Sequence, residues 1–185
     1  LNLTKLAQAK DAKMLDQKLM NFREKLVLDH FADEVRQDFD AVLSTFPHPH
    51  YELIATGAVH DGHDDVLNYH RNARKAFPDQ RHELIALRHT DDAVICEFWL
   101  LGTHKGYLGS VPPTGNAFRV RMCAFFIFEG EELVCERIYF DTLSIIKQLF
   151  KGFNLKSPKG MLQFYKAASG LLRDMKDLSK ITKAK

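Results

Sequence analysis

Apolar residues recur every three to four positions between residues 3 and 46, a spacing that predicts two helices. Pro47 and Pro49 end the second helix, because proline lacks a backbone donor and disfavours helix in the residue before it. A short strand is predicted over residues 51–59, and a third helix carries its apolar side chains on one face until Pro78 stops it. The chain therefore begins with a helical layer.

The apolar spacing changes after Pro78. Four segments rich in β-branched, aromatic and aliphatic residues predict an antiparallel meander, over residues 81–89, 93–103, 117–128 and 133–140. A last helix is predicted from Ser157, a good cap, and Pro158, which suits a first helical position. Helices followed by a meander predict an α+β fold in which helices cover one face of a curved sheet.

Length and charge narrow the class of protein. A chain of 185 residues with 45% hydrophobic residues can bury one substantial core, which favours a single domain. With 26 basic and 24 acidic residues it lacks the positive charge that nucleic-acid binding needs. Residues 151–185 nevertheless hold nine Lys/Arg and two Asp/Glu. We interpret the basic last helix as packed on its own domain, with an acidic lipid or partner as the alternative.

The cysteines and apolar runs indicate the compartment. Cys96, Cys123 and Cys135 lie in apolar segments without paired spacing, which argues against a zinc knuckle or a disulfide framework. The sequence shows neither an apolar run of about 18 residues nor a signal-peptide pattern. We therefore expect a cytoplasmic protein with no membrane span and with reduced, buried cysteines.

Four motifs occur in order along the chain: Phe77-Pro78-Asp79, Gly102-Thr103-His104-Lys105-Gly106, Val111-Pro112-Pro113-Thr114-Gly115, and Asp141-Thr142-Leu143 running into Gln148-Leu149. With them, the chain from His30 to Phe150 resembles the SnoaL-like polyketide cyclases, also called ester cyclases, of the nuclear transport factor 2-like superfamily. The resemblance implies a cone-shaped, cystatin-like α+β fold, with helices packed on a strongly curved, mainly antiparallel sheet. The resemblance implies a cone domain over residues 29–150. The family pattern does not explain the N-terminal helical extension over residues 1–28 or the basic C-terminal helical extension over 151–185.

Asp141 is the best candidate for chemistry. A regular hairpin would place residues 133, 135, 137, 139 and 141 on one face, opposite residues 128, 126, 124, 122 and 120. Burial beside such an apolar wall would raise the pKa of the Asp141 carboxyl toward values suited to proton exchange. In the resembling cyclases the matching Asp is the acid/base of an intramolecular aldol ring closure. The alternative is a structural N-cap of the helix that follows.

Other residues are predicted to join Asp141. His104 could orient a substrate oxygen or relay a proton, with a hydrogen bond to the following loop as the alternative. Arg137 could hold an oxyanion, with an ion pair to Glu34 or Asp38 as the alternative. The full set of predicted substrate-binding residues is His30, Tyr69, Phe77, Phe98, Met122, Arg137 and Tyr139.

Polar clusters on the helices raise the question of a metal. His30, Glu34 and Asp38 share one helix face, but a metal would need a ligand from another segment as well. A hydrogen-bonded cluster that anchors the helix to the sheet is favoured, since buried polar groups require partners. We also favour hydrogen bonding over metal binding for a second polar group, which consists of His60, His63, Asp64 and Asp65. We expect no metal and no cofactor.

Trp99 is predicted on the outer face of the sheet with Glu97 and Leu101. Proteins that resemble this family commonly dimerise through that face, which predicts a homodimer. The alternative is a second core layer beneath the terminal helix.

Two functions fit these observations. The first is a cofactor-free cyclase, isomerase or hydrolase-like enzyme that acts through Asp141 on a small, largely apolar carbonyl compound. The second is a non-catalytic module that binds a hydrophobic ligand or serves as a scaffold, since fold does not decide function. A hydrophobic pocket of several hundred Å³ would favour ligand chemistry, whereas a cone filled by Met122, Phe126 and Phe128 would favour a scaffold.

Overall fold

The structure, a computed structural model, describes residues 17–183, with side chains up to residue 175. The first sixteen residues of the predicted N-terminal extension lie outside this range. The described helices and strands are α1 (Gln17–Arg36), α2 (Phe39–Ser44), β1 (His50–Leu53), β2 (Ala58–Asp61), α3 (His63–Ala76), β3 (Arg81–His89), β4 (Ala93–Thr103), β5 (Ala117–Glu129), β6 (Glu132–Phe140), α4 (Thr142–Leu149) and α5 (Pro158–Lys183).

The strands form one sheet in the order β2-β1-β6-β5-β4-β3. The predicted meander is confirmed, since β3 to β6 pair antiparallel in sequence order. The single strand predicted over residues 51–59 is wrong, because Gly57 adopts a positive φ of 69° and turns the chain back into the hairpin β1–β2. Strand β1 then pairs parallel with β6 at the centre of the sheet.

A bulge in β6 changes which side chains face the core. Leu133 lies opposite Phe128 but Cys135 lies opposite Ile127, so Val134 is an extra residue without a partner. Beyond it Glu136 lies opposite Phe126 on the inner face. The predicted inner face for residues 135, 137, 139 and 141 is therefore wrong, because one additional residue reverses the alternation of a strand.

The core lies between the helices and the concave face of the sheet. Val27 and Phe31 of α1 are buried, and the Phe31 ring lies 5.0 Å from that of Phe98 and 5.3 Å from that of Phe126, centroid to centroid. Helix α2 packs on α1, and α3 packs on α2 and β2 and reaches α1 through the hydrogen bond from Arg74 to the Glu34 carbonyl. This is the predicted α+β cone, with helices on a strongly curved, mainly antiparallel sheet.

The Gly/Pro loop between β4 and β5 is held by two helices. The backbone N–H groups of Lys105 and Gly106 donate to the Ala76 carbonyl at the end of α3, at 2.9 and 3.2 Å. On the other side, the Asp174 carboxylate of α5 accepts from the Ser110 N–H at 2.9 Å. A Cβ atom at Gly106 would overlap with the carbonyl oxygen of Lys75. The loop is thus fixed against both helices.

Helix α5 contacts its own domain, as favoured from the sequence, but through small residues and not through its large apolar side chains. Ala167 is buried, and Gly170 lies against the backbone of Ser110. The opposite face leaves a row of large apolar side chains exposed, at Met161, Leu162, Tyr165, Leu172 and Met175. No helix in the described range combines the length and the apolarity needed to cross a membrane.

Candidate functional site

His30 is the centre of a buried polar cluster inside the cone. Its Nδ1 atom lies 3.0 Å from the hydroxyl of Thr45. Its Nε2 atom lies 3.0 Å from the hydroxyl of Tyr51 and 3.4 Å from carboxylate oxygens of both Glu34 and Glu136. Side chains from α1, β1 and β6 therefore converge on one ring nitrogen.

Two more histidines surround Glu34. Its Oε2 atom lies 3.3 Å from Nε2 of His82, and its Oε1 atom lies 4.0 Å from Nε2 of His70. The same nitrogen of His70 lies 3.3 Å from the Tyr51 hydroxyl. We name the six residues that these contacts join the inner cluster: His30, Glu34, Tyr51, His70, His82 and Glu136.

Burial and opposite charges set the protonation of the inner cluster. Burial lowers the pKa of His30, but hydrogen bonds and charges from Glu136 and Glu34 outweigh it and raise that pKa to about 9. Burial opposes ionisation of Glu34, yet the hydrogen bond from His30 and the nearby histidines hold its pKa below the usual range. Near neutral pH, His30 and Glu34 are thus a charged pair.

The pKa values of Glu136 and His70 instead shift in the direction that burial dictates. Burial raises the pKa of Glu136 above its usual value, although the hydrogen bond from His30 opposes the shift. Burial lowers the pKa of His70 to about 4, so this imidazole is neutral near pH 7. Glu136 therefore holds a proton more readily than an ordinary glutamate.

One oxygen of Glu136 has no hydrogen-bond partner of good geometry within the described residues. Glu136 is only 2% exposed, and its Oε2 atom is buried. The side chain lines an interior cavity of about 30 Å³, whose wall also includes Tyr69, Phe98 and Met122. This space is sufficient for a water molecule beside the Glu136 side chain, whose Oε2 atom lies 3.4 Å from Nε2 of His30.

An open groove of about 650 Å³ lies on the other side of Tyr69 and Ala73, which line both spaces. Tyr107 and Lys75 also line the groove. The Tyr69 ring stacks on His60 with 4.9 Å between centroids. Tyr69 therefore separates the groove from the inner cavity.

Four of the predicted substrate-binding residues come together. Tyr69, Phe98 and Met122 line the cavity, and His30 contacts Glu136 behind its wall. Phe77 lies elsewhere in the core, with its ring centroid 5.5 Å from that of His104.

His104 is fully buried, and its Nδ1 atom lies 3.2 Å from the hydroxyl of Thr114 in the Gly/Pro loop. This contact matches the alternative of a loop partner. Burial lowers the pKa of His104, and its Nε2 atom has no hydrogen-bond partner among the described residues. No described hydrogen bond, ion pair or ring contact joins His104 to Asp141. A joint catalytic role for His104 and Asp141 stays a prediction.

The residues predicted beside Asp141 lie outside the cone. Arg137 pairs with Glu52, and not with Glu34 or Asp38, because the bulge turns it to the outer face. Tyr139 is 41% exposed and packs on Phe125 of that face.

Asp141 is exposed and caps α4, where its Oδ1 atom accepts from the Ser144 N–H at 3.0 Å. Its position matches the structural alternative, whereas its role as acid/base stays a prediction.

Sequence reasoning missed Glu136 because a regular strand with residues 135 and 137 on the inner face would place Glu136 on the outer face. A bulge leaves no strong mark in a run such as Val134 to Ile138. Tyr51, His70 and His82 were missed because their meeting depends on the packing of distant segments.

The described residues contain two groups of three side chains whose ligand atoms lie within 4.8 Å of one another. One is His30, Glu34 and Glu136, in which β6 supplies the third side chain that α1 alone lacked. The other is His50, Glu52 and Cys135 on the outer face. Asp38 belongs to neither and instead caps α2 by accepting from the Ala41 N–H.

A six-stranded curved sheet that encloses acid/base side chains beneath packed helices defines a nuclear transport factor 2-like α+β protein. The model of the SnoaL-like polyketide cyclase family matches residues 26–149, and the chain belongs to this family. No curated protein matches the sequence significantly.

Solved structures share the fold. A protein assigned as a SnoaL-like polyketide cyclase from Jannaschia sp. CCS1 is 18% identical, with a TM-score of 0.65 over 71% of this chain and 94% of that one. IdmH of Streptomyces antibioticus, assigned as a polyketide cyclase, is 20% identical, with a TM-score of 0.59 over 69% and 97%. A ketosteroid isomerase-like protein from Catenulispora acidiphila, solved with trimethylamine, is 19% identical, with a TM-score of 0.58 over 66% and 90%.

Proposed function

We propose that the protein catalyses proton transfer on a small carbonyl compound, in a cyclisation or isomerisation, with Glu136 as the acid/base. The observation that carries this proposal is the buried Glu136 carboxylate, which lines the inner cavity and has an oxygen, Oε2, without a hydrogen bond of good geometry and 3.4 Å from Nε2 of His30. Membership of the SnoaL-like polyketide cyclase family supports the same class of reaction. Side-chain acid/base chemistry is sufficient for it, so the proposal includes no cofactor.

The inner cluster suits each part of such a reaction. The Glu136 carboxylate removes a proton from the carbon beside the carbonyl group, and the electron pair of that C–H bond forms an enolate. The imidazolium of His30, held charged by Glu34, stabilises the negative charge that develops nearby. In a cyclisation the enolate carbon attacks a second carbonyl carbon, and the resulting alkoxide takes the proton back from Glu136.

Substrate access involves Tyr69. The cavity of about 30 Å³ holds no more than a small group, while the groove of about 650 Å³ can hold the rest of a small organic molecule. Because Tyr69 lines both spaces, a turn of its side chain would join them. The reacting carbonyl would then reach Glu136 while the remaining substrate lies against Tyr107 and Ala73.

The test compares the two carboxylates directly. We would follow exchange of α-protons for deuterium by NMR in a panel of β-keto esters and aryl ketones, with the wild type, Glu136→Gln and Asp141→Asn. Loss of a general base costs about 10²–10⁴-fold in rate, so Glu136→Gln should lose at least about 100-fold. Asp141→Asn, which retains a capping side chain, should stay within a few-fold of the wild type.

Circular dichroism and thermal melts of both variants control for folding. Exchange at the wild-type rate in Glu136→Gln would contradict the proposal, as would a wild type that exchanges no member of the panel. Loss of exchange in Asp141→Asn alone would instead support the acid/base predicted from the sequence.

One observation favours a second function. Met122, Phe126 and Phe128 are all buried on the inner face, and the cavity that Met122 lines holds only about 30 Å³. A non-catalytic binding or scaffold protein needs no larger interior, and its ligand or partner would bind outside. A ligand that co-purifies with equal affinity in the wild type and Glu136→Gln, without catalysed exchange, would favour this function.

A further inference from the structure

The outer face of the sheet carries a second polar cluster, opposite the inner one. His50 and Glu52 alternate along β1 with the buried Tyr51 and so point outward. Cys135 of β6 lies beside them on the same face, because the bulge places Glu136 inward and Cys135 outward. A ring nitrogen of His50, a carboxylate oxygen of Glu52 and the sulfur of Cys135 all lie within 4.8 Å of one another.

His50 is oriented by a carboxylate. Its Nδ1 atom lies 2.8 Å from Oδ1 of Asp61, which sits opposite it on β2. The other nitrogen, Nε2, points toward Glu52 and lies 3.5 Å from Oε1. An imidazole held by a carboxylate on one nitrogen, with the other directed at further ligands, is the usual arrangement of a metal-binding histidine.

Glu52 has one oxygen available. Its Oε2 atom accepts from the Nε–H of Arg137, which fixes the carboxylate and leaves Oε1 directed at His50. Carboxylates that bind metals are themselves commonly held by hydrogen bonds from neighbouring residues. Arg137, predicted to hold a substrate oxyanion, is here a positioning residue for Glu52.

Cys135 supplies a sulfur that no other contact explains. Its thiol is free, and the residue is only 7% exposed although it lies on the outer face. Ligand atoms of His50 and Glu52 on β1 lie within 4.8 Å of its sulfur. A buried thiol beside an imidazole and a carboxylate gives the nitrogen, oxygen and sulfur donors that zinc accepts, while hard cations such as Mg²⁺ and Ca²⁺ avoid sulfur.

We propose that His50, Glu52 and Cys135 bind one Zn²⁺ ion, with a fourth position open to solvent. The side chains of His50 and Glu52 are 30% and 25% exposed, which leaves an approach from outside. Zinc lies about 2.0–2.3 Å from its ligands, so tetrahedral ligand atoms are about 3.3–3.8 Å apart. Because the ligand atoms lie within 4.8 Å of one another, side-chain movements on the order of 1 Å would bring them to these separations, and the thiol proton is released to solvent.

The experiment is a metal titration of the full chain after chelation and dialysis. Co²⁺ bound to a thiolate gives a charge-transfer band in the near ultraviolet, and Zn²⁺ competing with a coloured chelator gives the affinity. We expect one equivalent of either ion in the wild type. Cys135→Ser should remove the band, and Cys135→Ser and His50→Gln should each weaken Zn²⁺ binding at least about tenfold.

Two control variants and one variant of a positioning residue locate the site. Cys123→Ser changes another cysteine outside the cluster, and Glu136→Gln changes the inner cluster, so both should keep the wild-type stoichiometry and band. Asp61→Asn should weaken binding about 10–100-fold while leaving the melting temperature of the metal-free protein unchanged.

A wild type that binds no stoichiometric Zn²⁺ would overturn the proposal. So would binding that survives in Cys135→Ser but is lost in Glu136→Gln, since the ion would then occupy the inner cluster. Neither result depends on α-proton exchange, so the zinc site and the proposed enzymatic function succeed or fail separately.

Discussion

His30 connects α1 to the sheet through charge as well as packing. Its charged and polar partners are Glu34 of α1, Thr45, Tyr51 of β1 and Glu136 of β6, while His70 of α3 and His82 of β3 face Glu34. Such a buried charged group makes folding depend on pH, because its pKa differs between the folded and unfolded chain.

The direction of that dependence follows from the raised pKa of His30. Its stabilising contribution is fully present below the unfolded value of 6.5 and is lost as pH rises through about 9. We therefore expect the melting temperature of the wild type to fall between about pH 7 and about pH 10, by about 2–4 °C for each kcal/mol lost. His30→Gln should show a flatter profile over this range by circular dichroism. Equal slopes in the two proteins would contradict the assignment.

For single residues, the sequence correctly predicted the face of the sheet wherever side chains alternate regularly along a strand. Phe98 and Met122 lie on the inner face because β4 and β5 alternate without interruption between them. Because Val134 is an extra residue in β6, Glu136 lies on the inner face and Arg137 on the outer face, the reverse of the prediction. No local sequence pattern indicates the extra residue. The sequence therefore located much of the cavity wall but not the carboxylate in it.

Among the elements, α5 depends on a single small residue. A Cβ atom at Gly170 would overlap with the carbonyl oxygen of Ser110, whose N–H donates to Asp174 one turn further along the helix. The close approach of helix and loop is therefore possible only with glycine at this position.

Gly170→Ala tests this contact. Ala is favoured over Gly within a helix by about 1 kcal/mol, so an unconstrained site would be stabilised. Here we expect destabilisation by at least that amount in urea unfolding, because α5 must move away from the loop. Ser169→Ala, a change on the adjacent residue without such an overlap, is the matched control and should be nearly neutral. A Gly170→Ala protein more stable than the wild type would contradict this expectation, because it would show that the loop can move away from the new methyl group without a loss of stability.

For the whole molecule, the meander from β3 to β6 was predictable because each strand pairs with its neighbour in sequence. The parallel pairing of β1 with β6 was not, since it joins segments about 85 residues apart. The family resemblance supplied what local patterns lack, namely that the sheet is strongly curved and the helices fill its concave side.

The predicted homodimer through the outer sheet face can be tested at Trp99. The guanidinium groups of Arg119 and Arg121 lie 3.8 and 5.2 Å from the Trp99 ring centroid, which leaves the indole half-buried. We expect light scattering coupled to gel filtration to give a dimer for the wild type and a monomer for Trp99→Glu. Tyr165→Ser, on the exposed face of α5, is the control and should remain dimeric. A monomeric wild type would refute the prediction.

The contact of Gly106 with the end of α3 has a consequence for comparing related sequences. Any side chain at this position would collide with the Lys75 carbonyl, so a relative without glycine there must carry its loop farther from the helix. Tyr107 and Leu108 of that loop form one wall of the groove. We therefore expect the residue at this position to predict, from an alignment alone, which family members have a wider groove than this protein.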